Sequence, residues 1–203
     1  MSVHVGQQAI VDASGEAHGY GLLFRPSAGA TAAGAFDGDA AIAHVLVATF
    51  LEFGLQDLVG DRLAFVNVPR AFLVGDLPLP FPAGQVVLEV LEDVAADAQV
   101  FAGIAELSAA GHPIALDDVT AERDRGDLLH LADYVKIDLL GTDPATVPEL
   151  VRRSLGKGRR VVAEKVETSA QRELCSASAS SCSRGTCWDV PARSRSTACH
   201  RAS

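Results

Sequence analysis

The amino-acid sequence predicts an α/β fold with a mainly parallel sheet: a TIM-like (β/α) barrel that opens with a β-hairpin and is incomplete at its C-terminal end. Three observations predict it. Short apolar, β-branched runs alternate about five times with longer helix-like segments. The runs are apolar at nearly every position, as strands covered on both faces must be. Polar residues recur at their C-terminal ends, where parallel barrels build a binding mouth. The alternation alone leaves barrel and open sheet undecided; the polar strand ends favour the barrel.

The elements follow in order. Val3 to Val11 alternates and reads as a strand, Gly19 to Phe24 as a second, and the Asp12-Ala13-Ser14-Gly15 turn signal between them makes a hairpin. Asp37 to Leu55 has helical spacing, with acidic residues at its start and Gly54 at its end. LAFVNV, Leu63 to Val68, is a buried strand, and the proline-rich segment from Pro69 to Gly84 is a loop or broken helix. QVVLEVL, Gln85 to Leu91, is a strand, and Asp93 to Ala110 a helix stopped by Gly111. PIALDDV, Pro113 to Val119, is a strand and Asp124 to Leu131 a short helix. YVKIDLL, Tyr134 to Leu140, is a strand, followed by a helix from Pro144 to Leu155. RVVAEKV, Arg160 to Val166, is the last strand, and Thr168 to Leu174 begins another helix.

With 203 residues, 48% of them hydrophobic, the chain can build one core without disulfides or metals. Its net charge of −9 opposes nucleic-acid backbones and anionic membranes, so neither is an expected partner. An anionic ligand would need a local basic or metal-lined pocket. The N-terminus lacks a signal-peptide pattern and the apolar stretches are too short to span a bilayer, so the expected location is the cytoplasm. All four cysteines, Cys175, Cys182, Cys187 and Cys199, lie beyond Leu174, where the sequence turns rich in Ser, Ala and Arg and loses amphipathic period. Residues 1–174 are therefore expected to form the domain, and residues 175–203 a non-native or disordered tail.

The strand-end residues carry the chemistry. Asn67, Glu89, Asp117, Asp118 and Glu164 are hard oxygen ligands suited to Mg²⁺ or Mn²⁺. Two such ions would clamp a phosphodiester and activate water. Lys136 could neutralise charge on the phosphorane-like transition state or orient the water, and Arg25 could hold a phosphate. Each has a plainer reading. Asp117 and Asp118 could cap the next helix, Lys136 could pair with Asp138 or Glu164, Glu167 could complement a helix dipole, and Asn67 could be a turn residue.

The order of these motifs resembles the EAL domain family of cyclic di-GMP phosphodiesterases, over about Val3 to Leu174. GYGLLFR resembles the signature strand, FVNV the asparagine strand, LEVLE the glutamate strand, IALDDV the aspartate-pair strand, DYVKID the lysine strand and VVAEKVET the late glutamate strand. The resemblance implies Asn67, Glu89, Asp117 and Asp118 as metal ligands and Lys136 with Glu164 as catalytic residues. It implies Arg25, Asp138 and Glu167 at the ligand, and Glu92 bracing the loop after Asp118. VHVGQQAIVD and AEKVET are most similar to the subgroup in which an EAL-like, often degenerate domain precedes an HDOD domain.

Three departures shape the functional expectation. Gly21 stands where the family has its metal-binding glutamate, the usual Phe-Gly after the aspartate pair is replaced by Val119-Thr120-Ala121-Glu122-Arg123, and the closing Gln-Gly strand is missing. Read two nucleotides later with GC-rich codons, CSASASSC gives Leu-Gly-Leu-Gly-Phe-Glu-Leu, so a frameshift near Cys175 would account for the missing strand. The missing strand predicts two open sheet edges, with low stability or homodimerisation as the consequence. The resemblance then implies a non-catalytic signalling module that acts through cyclic di-GMP or a protein partner, with Mg or Mn held weakly or not at all. The alternatives are a residual Mg- or Mn-dependent phosphodiesterase yielding pGpG, and an inactive remnant.

Overall fold

A computed structural model of the chain describes residues 4–12, 14–25, 54–120, 126–179, 186–189 and 197–198. Strands β1 (His4–Val11) and β2 (Ala17–Arg25) form the expected antiparallel hairpin, in register from His4 opposite Arg25 to Val11 opposite Ala17. Its turn is fastened by Asp12, whose Oδ1 accepts from the Ser14 amide at 2.8 Å and the Glu16 amide at 3.1 Å.

Five parallel strands continue the sheet in chain order: β3 (Leu63–Asn67), β4 (Val86–Val90), β5 (Ile114–Leu116), β6 (Tyr134–Asp138) and β7 (Arg160–Glu164). The helices between and after them are α1 (Leu55–Val59), α2 (Arg70–Leu73), α3 (Ala98–Ala109), α4 (Gly126–Leu129), α5 (Val147–Ser154) and α6 (Ser169–Ala179). Outward-facing strand residues such as Val66, Leu88, Leu116, Ile137 and Ala163 pack with helical Leu73, Ile104, Leu128 and Val151 in one buried cluster. This is a curled half barrel, the architecture that the polar strand ends favour over an open sheet. Among the described residues, no helix is long and apolar enough to cross a membrane.

The barrel is incomplete at its C-terminal end, and the seam there is thin. Strand β8 (Thr186–Asp189) pairs in parallel with Val161–Ala163 of β7 and reaches β1 only at Val11 and Ile10. The two-residue β9 (Thr197–Ala198) pairs with His4 and Val5 of β1. The sequence led us to expect two wholly open edges and no strand after residue 174. Instead, helix α6 continues to Ala179, and β8 occupies the gap. Unpaired edges on β1 and β7 would accept any extended segment within reach, and Thr186-Cys187-Trp188 is β-prone.

Other elements differ in extent. The helix expected over 37–55 falls almost wholly outside the described residues. Helix α3 starts at Ala98 rather than Asp93 because Asp97 caps it, accepting from the Gln99 and Val100 amides at 3.0 Å each. Arg70, 2.7 Å from Asp97, ties that cap to α2, the one helical turn inside the proline-rich segment.

Helix α3 approaches α2 most closely at Gly103, where an added Cβ would lie 1.8 Å from the Leu73 carbonyl oxygen. That neighbour is backbone and cannot yield. Gly103→Ala is expected to lower the unfolding free energy in urea by about 3 kcal/mol; wild-type stability would contradict this packing.

Candidate functional site

The site is built by strand alternation. Ile10, Phe65, Val87, Ala115, Tyr134 and Val162 form a separate buried layer inside the barrel. Two residues further along the chain from Phe65, Val87, Ala115, Tyr134 and Val162 come Asn67, Glu89, Asp117, Lys136 and Glu164. Side chains two apart on a strand share a face, so these five form the next layer up, at the mouth. Gly21 pairs in register with Phe65 and belongs to the same inward set. The opposite end of the barrel is plugged. Phe65 meets the Tyr134 ring edge-on at 5.0 Å, and the Tyr134 hydroxyl is 3.0 Å from His18 Nε2.

The centre of the mouth is an ammonium. Lys136 Nζ lies 3.0 Å from Glu89 Oε1, 2.9 Å from Asp117 Oδ1 and 2.8 Å from Glu164 Oε1. Of the two pairings open to Lys136 from sequence, it therefore takes Glu164 and not Asp138. Burial opposes the charge on Lys136, but Glu89, Glu164 and Asp117 outweigh it and hold the lysine well above its ordinary value. Three carboxylates face one ammonium, leaving excess negative charge in a desolvated site. Burial pushes Glu89 up to about 7, against the pull of Lys136, and also raises Glu164.

A second ion pair flanks the first. Asp138 accepts from the Leu140 and Gly141 amides at 2.8 and 3.2 Å through Oδ1, and from the Lys165 ammonium through Oδ2. Its pKa is lowered: burial opposes this, but Lys165 and the two amides prevail. Asp138, expected at the ligand, thus bonds the loop after β6 and Lys165. Asp118 and Lys165 have left-handed backbones, φ 50° and 54°, and are the two non-glycine residues with positive φ among those described. Such conformations cost about 1 kcal/mol or more each and cluster at functional sites. Sequence reading missed Lys165; its position beside Glu164 was visible, but its φ was not.

The remaining expected residues lie further out. Arg25 ends β2, and its side chain is outside the described features. Glu92 is exposed on the turn after β4, and the loop it was expected to brace is in part outside the described residues. Glu167 is exposed before α6. Its amide and that of Thr168 donate to Gln171 Oε1 at 2.9 and 3.0 Å, while Thr168 Oγ1 accepts from the Gln171 amide at 3.2 Å. This reciprocal cap starts α6.

The donors fit a hard divalent cation in chemistry. The Asn67 Oδ1 atom is buried with no hydrogen-bond partner, and the carboxylates outnumber their counter-ion. The fit is loose. Among the described residues, no three His, Cys, Asp or Glu side chains stand arranged to hold a metal, and the Lys136 ammonium stands between Glu89, Asp117 and Glu164. Gly21 adds no donor.

No family model matches the chain. The chain is 33% identical over 169 residues to "Cyclic di-GMP phosphodiesterase CdgJ" of Vibrio cholerae, covering 82% of this chain and 39% of that protein. It is 31% identical over 173 residues to the uncharacterised protein YuxH of Bacillus subtilis, covering 83% and 42%. The chain thus spans about two fifths of these curated relatives. Among solved structures it superposes on Klebsiella pneumoniae BlrP1, solved with calcium and cyclic di-GMP, with TM-score 0.75, 22% identity and coverage of 97% and 56%. It also matches the PaMucR phosphodiesterase bound to cyclic di-GMP, with TM-score 0.69, 22% identity and coverage of 92% and 88%. A third match is Bacillus subtilis YkuI, a protein with an EAL domain solved with cyclic di-GMP and calcium, with TM-score 0.67, 20% identity and coverage of 91% and 53%.

The curled parallel sheet with an inward polar layer at its C-terminal strand ends is the barrel fold of these solved structures. Motif order and these similarities together make the chain an EAL domain.

The raised Glu89 carboxyl has a consequence for stability. Its folded value of about 7 exceeds the ordinary 4.5, so the folded state binds this proton more tightly than the unfolded state. Its contribution is complete below the unfolded value and is lost as pH rises through the folded one. Urea midpoints of wild type minus those of Glu89→Gln should therefore fall between about pH 4.5 and pH 7. Parallel profiles for the two proteins would show that Glu89 is not perturbed.

Proposed function

We propose that this chain is a cytoplasmic, degenerate EAL-domain signalling module that binds cyclic di-GMP and does not hydrolyse it efficiently. The observation that carries the reading is Gly21. It lies on the inward face of β2, level with Phe65 and one step below the layer of Asn67, Glu89, Asp117, Lys136 and Glu164, and has no side-chain oxygen to offer them. Loss of one charged ligand weakens metal affinity and loosens its geometry.

Each retained residue has a task in this reading. Lys136, held protonated, acts as a fixed positive charge toward a phosphodiester and not as a base. Glu164, whose pKa is raised by burial, can hold or release a proton beside Lys136. Arg25, at the mouth end of β2, would take a phosphate. Asn67, Glu89, Asp117 and Asp118 would hold a divalent ion, either Mg²⁺ or Mn²⁺. When bound, such an ion supplies charge neutralisation and a water of lowered pKa. The relatives are longer than this chain, and a following HDOD-type domain or another protein partner would receive the signal. Residues 175–203 stand in this reading as a non-native tail, of which 175–179 extend α6 and 186–189 lie between β7 and β1.

A second reading is a residual phosphodiesterase releasing pGpG. It is favoured by the Lys136–Glu164 pair at 2.8 Å, with Glu89 and Asp117 on the same ammonium.

Incubation with cyclic di-GMP and MnCl₂, followed by chromatography, is expected to leave the nucleotide intact; pGpG formed over many turnovers would overturn the first reading. The space at position 21 is open: an added Cβ would meet nothing nearer than Gln8 O at 3.8 Å. Gly21→Glu is therefore expected to strengthen Mn²⁺ binding about tenfold, as restored ligands do. Unchanged Mn²⁺ affinity would mean that the ligand set has decayed beyond Gly21.

A further inference from the structure

We propose that Lys165 is a phosphate-recognition residue, its ammonium leaving Asp138 to take a phosphodiester group of the nucleotide at the barrel mouth. The inference rests on the ligand class proposed above and assigns it a phosphate contact in addition to the one proposed for Arg25.

Four observations converge on Lys165. Its backbone stands at φ 54°, where glycine is at ease and a long side chain is not. A residue that endures this conformation has a compensating use for its side chain. Second, the side chain is 55% exposed, beside Glu164 and at the mouth end of β7. Third, the neighbouring cation lends fixed charge to the mouth but is turned toward three carboxylates. Lys136 is buried and already faces Glu89, Asp117 and Glu164. A phosphate arriving at this acidic mouth therefore needs an exposed positive group.

Fourth, the exchange leaves Asp138 partly satisfied, with only Oδ2 giving up its partner. Asp138 would keep the Leu140 and Gly141 amides on Oδ1 after the ammonium departs. The Asp138–Lys165 pair then holds the lysine extended across the exits of β6 and β7 until ligand arrives. Since one partner of the pair is largely in water, the pair itself adds little to fold stability.

The test reads stability and affinity on the same variants. Lys165→Gly removes both the ammonium and the backbone strain. It is expected to melt at or above the wild-type temperature while binding cyclic di-GMP about tenfold more weakly, the size of one lost charge-assisted bond. Lys165→Arg is expected to keep most of the affinity. Asp138→Asn, which frees the ammonium, is expected to bind at least as tightly as wild type. A Lys165→Gly variant that binds as wild type would overturn the proposal, whatever its melting temperature. Equal loss of affinity in Asp138→Asn and Lys165→Gly would also overturn it, because the strap between the two loops would then matter and not the cation. Absence of cyclic di-GMP binding by the wild-type chain would overturn the proposed function, and this proposal with it.

Discussion

The mouth of the barrel depends on one buried ammonium. Lys136 gathers Glu89, Asp117 and Glu164, carboxylates from three other strands, within 3.0 Å. Each carboxylate alone would resist burial in the barrel interior, and all three together would repel one another. The lysine makes their convergence tolerable without cancelling it. Burial, reinforced by the neighbouring carboxylates, makes Glu89 and Glu164 hold their protons more tightly than usual. A site with surplus negative charge favours cations, and an anion must be met at its rim. Lys165 and the end of β2 lie on that rim.

The fold places these groups with little latitude. Each polar residue of the inner layer sits two positions beyond a buried plug residue, so the packing of Phe65, Val87, Ala115, Tyr134 and Val162 sets the height of the layer above. The plug itself closes through Tyr134 and His18. What the fold secures less firmly is its own closure, since β8 meets β1 at only Ile10 and Val11. The chain therefore has a well-packed site and a thin seam.

Much of this was legible in sequence. Apolar runs ending in single polar residues gave the parallel strands and the mouth, because period-two alternation in buried strands leaves few places for a charge. Asn67, Glu89, Asp117, Lys136 and Glu164 were readable for that reason. The partner of Asp138 was not, because Lys165 reaches it across two loops whose backbone conformations no local pattern specifies. The start of α3 was misplaced because a cap at Asp97 outweighed the apolar period. Strand β8 was missed because its pairing is supplied by the edges of β7 and β1 and owes little to the amphipathic pattern of its own residues.

The central claim is that the mouth still receives a cyclic dinucleotide through its own side chains after losing a metal ligand at position 21. Calorimetric titration of the chain with cyclic di-GMP in excess EDTA tests this most directly. Stoichiometric, saturable binding without metal is the predicted result. Binding that appears only when Mg²⁺ or Mn²⁺ is restored, or no binding by a cooperatively folded sample, would contradict it.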